Sequence, residues 1–130
     1  MRIALWPDCS GDRDDLEMEE FFTHPERYAV FVCDRPNGLL GGFAEFSIRD
    51  YVDGAQTKPV GYLEGWYVDP DLQGLGIGKS LVCAGETWMR SLGLKEIGSD
   101  SELWNESAIL AHRAIGFQET FRVVQFIKKL

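Results

Sequence analysis

The stretch from Gly61 to Leu92 does most to limit what this chain can fold into. It runs Gly-Tyr-Leu-Glu-Gly-Trp-Tyr-Val-Asp-Pro, then Asp-Leu-Gln-Gly-Leu-Gly-Ile-Gly-Lys, then an amphipathic run. The first part predicts a strand, with aromatic and aliphatic side chains around Glu64. Asp69-Pro70 stops it, because proline cannot donate to a ladder. Gly74, Gly76 and Gly78 make a turn. After it, Ile77, Leu81, Val82, Gly85, Trp88, Met89 and Leu92 recur on one face of a helix whose other face carries Lys79, Glu86 and Arg90. Gly93 ends that helix.

Closely spaced glycines let backbone approach a ligand, and the first turn of a helix holds N–H groups with no intrahelical partner. Together they suit a phosphate or pyrophosphate. The same glycines also suit a plain tight connection from strand to helix. Neither the Gly-Lys-Ser/Thr ending of nucleotide-hydrolysing loops nor the Gly-x-Gly-x-x-Gly dinucleotide fingerprint is present.

Gln73-Gly74-Leu75-Gly76-Ile77-Gly78 resembles the Gln/Arg-x-x-Gly-x-Gly/Ala pyrophosphate loop of the GCN5-related N-acetyltransferases (GNAT). Asn105, Ala108 and Ile115-Gly116-Phe117 resemble that family's second motif, a helix flanking the pantetheine arm. Four further blocks, Ala4–Cys9, Tyr62–Val68, Ser99–Leu103 and Arg122–Val124, are similar to the aminoglycoside 6'-N-acetyltransferases. The resemblance implies acetyl-coenzyme A as cosubstrate, held by Val68, Gln73, Gly74, Leu75, Gly76, Ile77, Gly78, Lys79 and Asn105. It further implies direct acetyl transfer, in a ternary complex, to the 6'-amine of an aminoglycoside, and hence antibiotic resistance. A GNAT enzyme for another amine, such as a protein N-terminus, a lysine or a polyamine, is the alternative on the same fold. A non-catalytic acyl-coenzyme A binding module is the alternative of a different class.

At 130 residues the chain is read as a single domain over positions 1–130. Its 21 acidic and 13 basic residues give a net charge of −8, which argues against nucleic acid or an anionic membrane as partner. That charge suits a cationic small molecule, and equally an ordinary acidic soluble protein. Cys9, Cys33 and Cys83 have no disulfide or metal spacing, so no metal is expected and a reducing cytoplasm is. No run reaches membrane-spanning length, and the first residues lack the pattern of a signal peptide.

Read in order, positions 1–8 lack the family's usual first strand. Ser10 or Asp12 caps a helix from Arg13 to about Thr23, whose acidic first turn holds Asp14, Asp15 and Glu17 and whose Leu16, Phe21 and Phe22 face the core. Tyr28–Asp34, the turn Arg35-Pro36-Asn37-Gly38 and Leu39–Arg49 make an antiparallel hairpin. Asp50–Pro59 is a polar loop. Lys95–Ser101 is a short strand running parallel to the Gly61 strand at the sheet's centre, Asn105–Ile115 a second helix, and Glu119–Lys128 a sandwiched closing strand. The expected fold is α/β (α+β), a mixed, mostly antiparallel GNAT sheet with helices on both faces, its first strand missing. The resemblance implies that the cofactor wedges between the two parallel strands where they splay.

Transfer to an amine needs the amine neutral, so a positioned base, or a water held by one, helps. Glu64 is the candidate. Period-2 alternation places it on one face with Tyr62, Trp66 and Val68, partly desolvated among aromatics. In the resembled subgroup the matching glutamate is the base or holds the relay water, while an ion-paired strand carboxylate is the plain reading. Asp100, with Asp50 or Asp53, adds carboxylates for a polyamine sugar, and Trp66 and Trp104 offer aromatic walls. Asp100 also suits an ordinary turn, and Trp66 an ordinary core. His112 stands where the family often has the tyrosine that protonates the leaving thiolate; Tyr62 and Tyr67 are the other donors, and a packing role for His112 is equally open. Cys83 is read as core, which leaves no cysteine for a covalent route. The carboxy-terminal strand, ending Lys128-Lys129-Leu130, offers an edge to a second copy, so a homodimer is expected.

Overall fold

The computed structural model describes residues 19–130. The initial block Ala4–Cys9, the caps Ser10 and Asp12, the acidic first turn and Leu16 lie outside the described residues. The chain divides into two compact units, Met1–Ser99 and Asp100–Leu130.

In the first unit, residues 19–23 are helical. Phe21 packs against Tyr28, the rings tilted at 45° with centroids 4.7 Å apart. Phe22, expected in the core, is 71% exposed, because consecutive helical residues point about 100° apart and only one of the pair can face Tyr28. Strand β1, Tyr28–Asp34, pairs antiparallel with β2, Leu40–Arg49. The turn between them closes as its residues dictate. Arg35 N–H donates to the Leu39 carbonyl at 2.8 Å, the Asn37 side chain accepts from Leu39 N–H at 3.1 Å, and Gly38 takes φ 81°.

β3, Val60–Val68, pairs antiparallel with β2 and parallel with β4, Ile97–Ser99, giving the order β1-β2-β3-β4. Helix α1, Ile77–Ser91, crosses between β3 and β4 and packs on one sheet face through Leu81, Val82, Gly85 and Met89. Facing it are Ala44, Phe46 and Leu63, at most 3% exposed, with Phe31 edge-on to Phe46 at 5.9 Å. Cys83, expected in the core, is exposed. It lies on the outward face of α1, one turn before Thr87, whose hydroxyl donates to the Cys83 carbonyl.

In the second unit α2, Glu106–Ala114, is capped by Asn105, whose side chain accepts from Ala108 N–H at 3.1 Å. Gly116, at φ 99°, follows its end. The expected closing strand is absent. Residues 117–130 form no regular element, and Phe121, Val123, Val124, Phe126 and Ile127 are 64–98% exposed. A strand needs a ladder on at least one side, and no described strand pairs with this segment. The parallel pair β3–β4 therefore lies at an edge of the described sheet instead of its centre. Among the described residues, no helix is long and apolar enough to cross a membrane.

Candidate active site

β3 is built to change character along its length. Its pairing with β4 covers only Gly61–Leu63 against Ile97–Ser99, while β3 itself runs on to Val68. From Glu64 onward the β4 side of this strand has left its parallel partner. At the same point the antiparallel register slips: Glu45 pairs with Gly65 but Phe46 with Leu63, so Glu64 is an extra residue in a bulge.

That bulge redirects the side chains. Up to Tyr62 the strand alternates as the sequence predicts, but an inserted residue inverts the parity of everything after it. Glu64 turns to the face of Ser47 and Arg49, whereas Trp66 turns to α1. The expected shared face of Glu64, Trp66 and Val68 is thus divided by the bulge. Trp66 donates Nε1–H to the Gly78 carbonyl at 3.1 Å, and its ring lies where a Cβ on Gly78 would come within 3.1 Å. Glycine leaves room for that ring beneath the first turn of the helix, and a larger residue would press it back by a few tenths of an ångström.

Both oxygens of the Glu64 carboxylate are hydrogen-bonded. Oε1 accepts from the Ser47 hydroxyl at 2.5 Å and from Arg49 Nε at 3.0 Å, and Oε2 accepts from Arg49 Nη2 at 2.8 Å. The Arg49 guanidinium also lies 3.5 Å over the Tyr62 ring. Neither Arg49 nor Ser47 was among the sequence-derived candidates. The antiparallel hairpin register carried the signal, since it brings the end of β2 beside the start of β3.

The loop after β3 begins with a 3₁₀ turn, Pro70–Leu72. Gln73 reaches back, its Nε2 donating to the Val68 carbonyl at 2.9 Å. Gly74 and Gly76 then take φ of 78° and 81°, a left-handed conformation that strains any side-chain-bearing residue. Gly76 is the N-cap of α1 and contributes no capping side chain. The opening N–H groups of a fifteen-residue helix therefore face outward beside exposed Leu75 and Lys79, while Ile77 and Gly78 are half-buried. This is the geometry an anion needs: backbone donors, a positive dipole end and a nearby lysine.

Of the remaining candidates in the first unit, Tyr67 hydrogen-bonds Asp69, and burial first, then that carboxylate, pushes its pKa up, so it holds its proton. In the β2–β3 loop, Asp53 accepts from the Tyr51 hydroxyl and Asp50 pairs with Arg27 at 3.4 Å. Glu96, which the sequence reading passed over, fastens that loop. One oxygen accepts from Gln56 N–H at 2.8 Å, Thr57 N–H at 2.7 Å and the Thr57 hydroxyl at 2.5 Å. These bonds, the Thr57 hydroxyl foremost, hold its pKa below the ordinary glutamate value.

In the second unit Asp100 and Trp104 are exposed, Trp104 to 78%. His112 donates Nδ1–H to the Ala108 carbonyl at 2.7 Å and meets the Phe117 ring edge-on at 5.3 Å. Asn105, Ala108 and His112 are thereby linked along α2 by the cap and this bond.

Comparison with known proteins agrees with this geometry. The model of the acetyltransferase (GNAT) family matches residues 1–117. The aminoglycoside N(6')-acetyltransferase type 1 of Stenotrophomonas maltophilia is 43% identical over 127 residues, 97% of this chain and 81% of that protein. Its counterpart from Klebsiella aerogenes is 40% identical over 132 residues, 100% of this chain and 87% of that protein. Among solved structures, AAC(6')-Iy in complex with the bisubstrate analogue CoA-S-monomethyl-acetylneamine superposes with a TM-score of 0.91 at 34% identity, covering 100% of this chain and 88% of that one.

Proposed function

Because the chain belongs to the acetyltransferase (GNAT) family, we propose that it transfers the acetyl group of acetyl-coenzyme A to the 6'-amine of aminoglycoside antibiotics. The observation that carries this reading is the junction at β3. A strand leaves its parallel neighbour at a bulge that bears a carboxylate, and the same strand leads into a glycine loop with outward-facing amides. Relatives at 43% and 40% identity over nearly the whole chain supply the acceptor class.

In this reading the amides of the loop from Gln73 to Gly78, with Lys79, hold the pyrophosphate of acetyl-coenzyme A. The edge of β3 beyond Leu63 offers backbone groups to its pantetheine arm, as an added strand would. Val68 lies at that edge, and Asn105 belongs to the family motif that flanks the arm. Glu64, through a held water, accepts the proton that the attacking amine must lose. The amine nitrogen bonds to the acetyl carbon, the thioester C–S bond breaks, and the thiolate takes up a proton. His112 and Tyr67 are the donors proposed for it, and Asp100 and Trp104 are the further acceptor-side residues, while Trp66, turned to α1, supports the cofactor loop from beneath Gly78. Both units are read as parts of one catalytic domain, which the family match over residues 1–117 supports.

A homodimer is part of the same proposal. The exposed apolar segment with Phe121, Val123, Val124, Phe126 and Ile127 exceeds what isolated surface residues need and suits burial against a second copy. Light scattering is expected to give twice the mass of the 14.7 kDa chain; a monomer mass would refute the dimer. Cytoplasmic location is supported by the free thiols Cys33 and Cys83.

The test is thiol release from acetyl-coenzyme A with four acceptors: an aminoglycoside bearing a 6'-amine, its 6'-hydroxyl analogue, spermidine and a basic peptide. Turnover confined to the 6'-amine drug is expected. Turnover only with spermidine or peptide would keep the family and overturn the acceptor. Coenzyme A binding without turnover on any acceptor would mark a non-catalytic relative.

A further inference from the structure

We propose that Arg35 is a positioning residue for the cofactor loop: its guanidinium ties the β1–β2 turn to the base of the loop and sets the glycines in place before acetyl-coenzyme A arrives. The proposal rests on the reading of the Gln73–Gly78 loop as the acetyl-coenzyme A site.

Arg35 opens the hairpin turn, yet its side chain works across the sheet. Nη2 donates to Asp69 at 2.8 Å and to Asp71 at 2.7 Å, and Nη1 donates to the other Asp71 oxygen at 3.0 Å. Arg35 and Asp69 are only 24% and 27% exposed, so this part of the clamp is shielded from water. The planar fork of a guanidinium is needed to reach both carboxylates; a lysine ammonium lacks that geometry. The pairing is felt on both sides, since the bonds to Asp71, then Asp69, raise the Arg35 pKa and Arg35 lowers that of Asp71.

The surrounding contacts make this clamp the root of the loop. Asp69 N–H donates to the Gly41 carbonyl at 2.8 Å, and Leu72 N–H to the Asp69 carbonyl at 2.9 Å. Gly41 leaves room for the closure: a Cβ there would fall 2.4 Å from Leu72 Cδ1 and 3.2 Å from Arg35 Nε. Asp69, Asp71 and Leu72 are thus fastened, whereas Gly74 and Gly76 are open around their Cα atoms, with nothing within 4 Å of an added Cβ. Glycine backbone is costly to order. With the root fixed, less ordering is left for the ligand to impose, which is preorganisation. Charge adds in the same direction. Without Arg35, Asp69 and Asp71 would present two uncompensated carboxylates just ahead of a pyrophosphate site.

The experiment is coenzyme A titration calorimetry and steady-state kinetics on the full chain and on Arg35→Ala, Arg35→Lys and Asp71→Asn. Asp71 is 64% exposed, so its variant keeps the fold even if Arg35→Ala does not. Arg35→Ala is expected to weaken coenzyme A binding and raise KM for acetyl-coenzyme A by about tenfold, within the usual range of coupling between separate sites. Its kcat and its KM for the acceptor should stay near the parent's, Arg35→Lys should recover part of the loss, and Asp71→Asn should show a smaller rise of the same kind. An unchanged KM for acetyl-coenzyme A, or a parallel fall in kcat and acceptor affinity, overturns the positioning role. A parent that binds no coenzyme A overturns the loop reading itself.

Discussion

Phe46→Ala should cost the fold about 3–5 kcal/mol, as truncating a buried aromatic does, and Gly85→Ala about 1–3 kcal/mol from overpacking against the same ring. Phe46 is fully buried, with 0% of its surface exposed. A Cβ on Gly85 would meet three atoms of that ring at 2.2, 2.4 and 2.5 Å. The ring stands end-on to the helix, so it cannot yield by a small rotation of its tip. Gly61 is the control. An added Cβ there also meets an atom at 2.2 Å, but that atom is Met89 Sδ, on a flexible side chain that can swing aside. Gly61→Ala should therefore cost under about 1 kcal/mol, even though its nearest distance equals that at Gly85. Urea unfolding of the three variants decides this, and Gly85→Ala combined with Phe46→Leu should lose less than the sum, since the contact is shared. If Gly85→Ala instead matches Gly61→Ala, α1 yields on β2 and the Phe46 ring does not fix their separation. With whole-domain stability of about 5–15 kcal/mol, the Phe46 cavity alone removes a large part of it.

The same contact shows what the sequence revealed and what it withheld. Gly85 was legible as part of the apolar face of the helix, because its spacing from Leu81, Val82 and Met89 follows the helical period. Strand Tyr28–Asp34 and the turn after it were legible because β-branched residues and Asn-Gly chemistry act locally. The bulge at Glu64 was not, because one inserted residue leaves no mark on composition and yet inverts every later side chain. The segment from Glu119 to Lys128 announced that it needs burial, and apolar residues on both faces say nothing about which chain supplies the cover. The two arginines that organise the site escaped for a related reason. Arg35 meets Asp69 and Asp71, and Arg49 meets Glu64, only through strand register, over separations that no local pattern encodes. Cys83 was misplaced because its hydrophobicity suggested the core while its angular position on α1 put it outside.

Glu64→Ala is expected to lower kcat/KM for the 6'-amine acceptor by about 10²–10⁴, the usual contribution of a positioned acid–base group, and Glu64→Gln should lose nearly as much. The comparison isolates charge from shape. A glutamine keeps the volume of the side chain and an oxygen for the Ser47 hydroxyl, so a loss shared by both variants belongs to the carboxylate charge. Its arrangement suits action through water: with the Ser47 hydroxyl and two N–H groups of the Arg49 fork already on its oxygens, an incoming amine has to compete with these donors to approach directly. Neither variant should unfold. Arg49 is 43% exposed and stacked on Tyr62, so its guanidinium can be hydrated when its partner is neutral. Thermal melts recorded beside the kinetics check that point. Near-parental activity in Glu64→Gln would remove the base assignment and leave Ser47, Glu64 and Arg49 as a fastening between β2 and β3. Proton removal would then fall to bulk water, and the rate should climb with pH as the free amine fraction rises, in parent and variant alike.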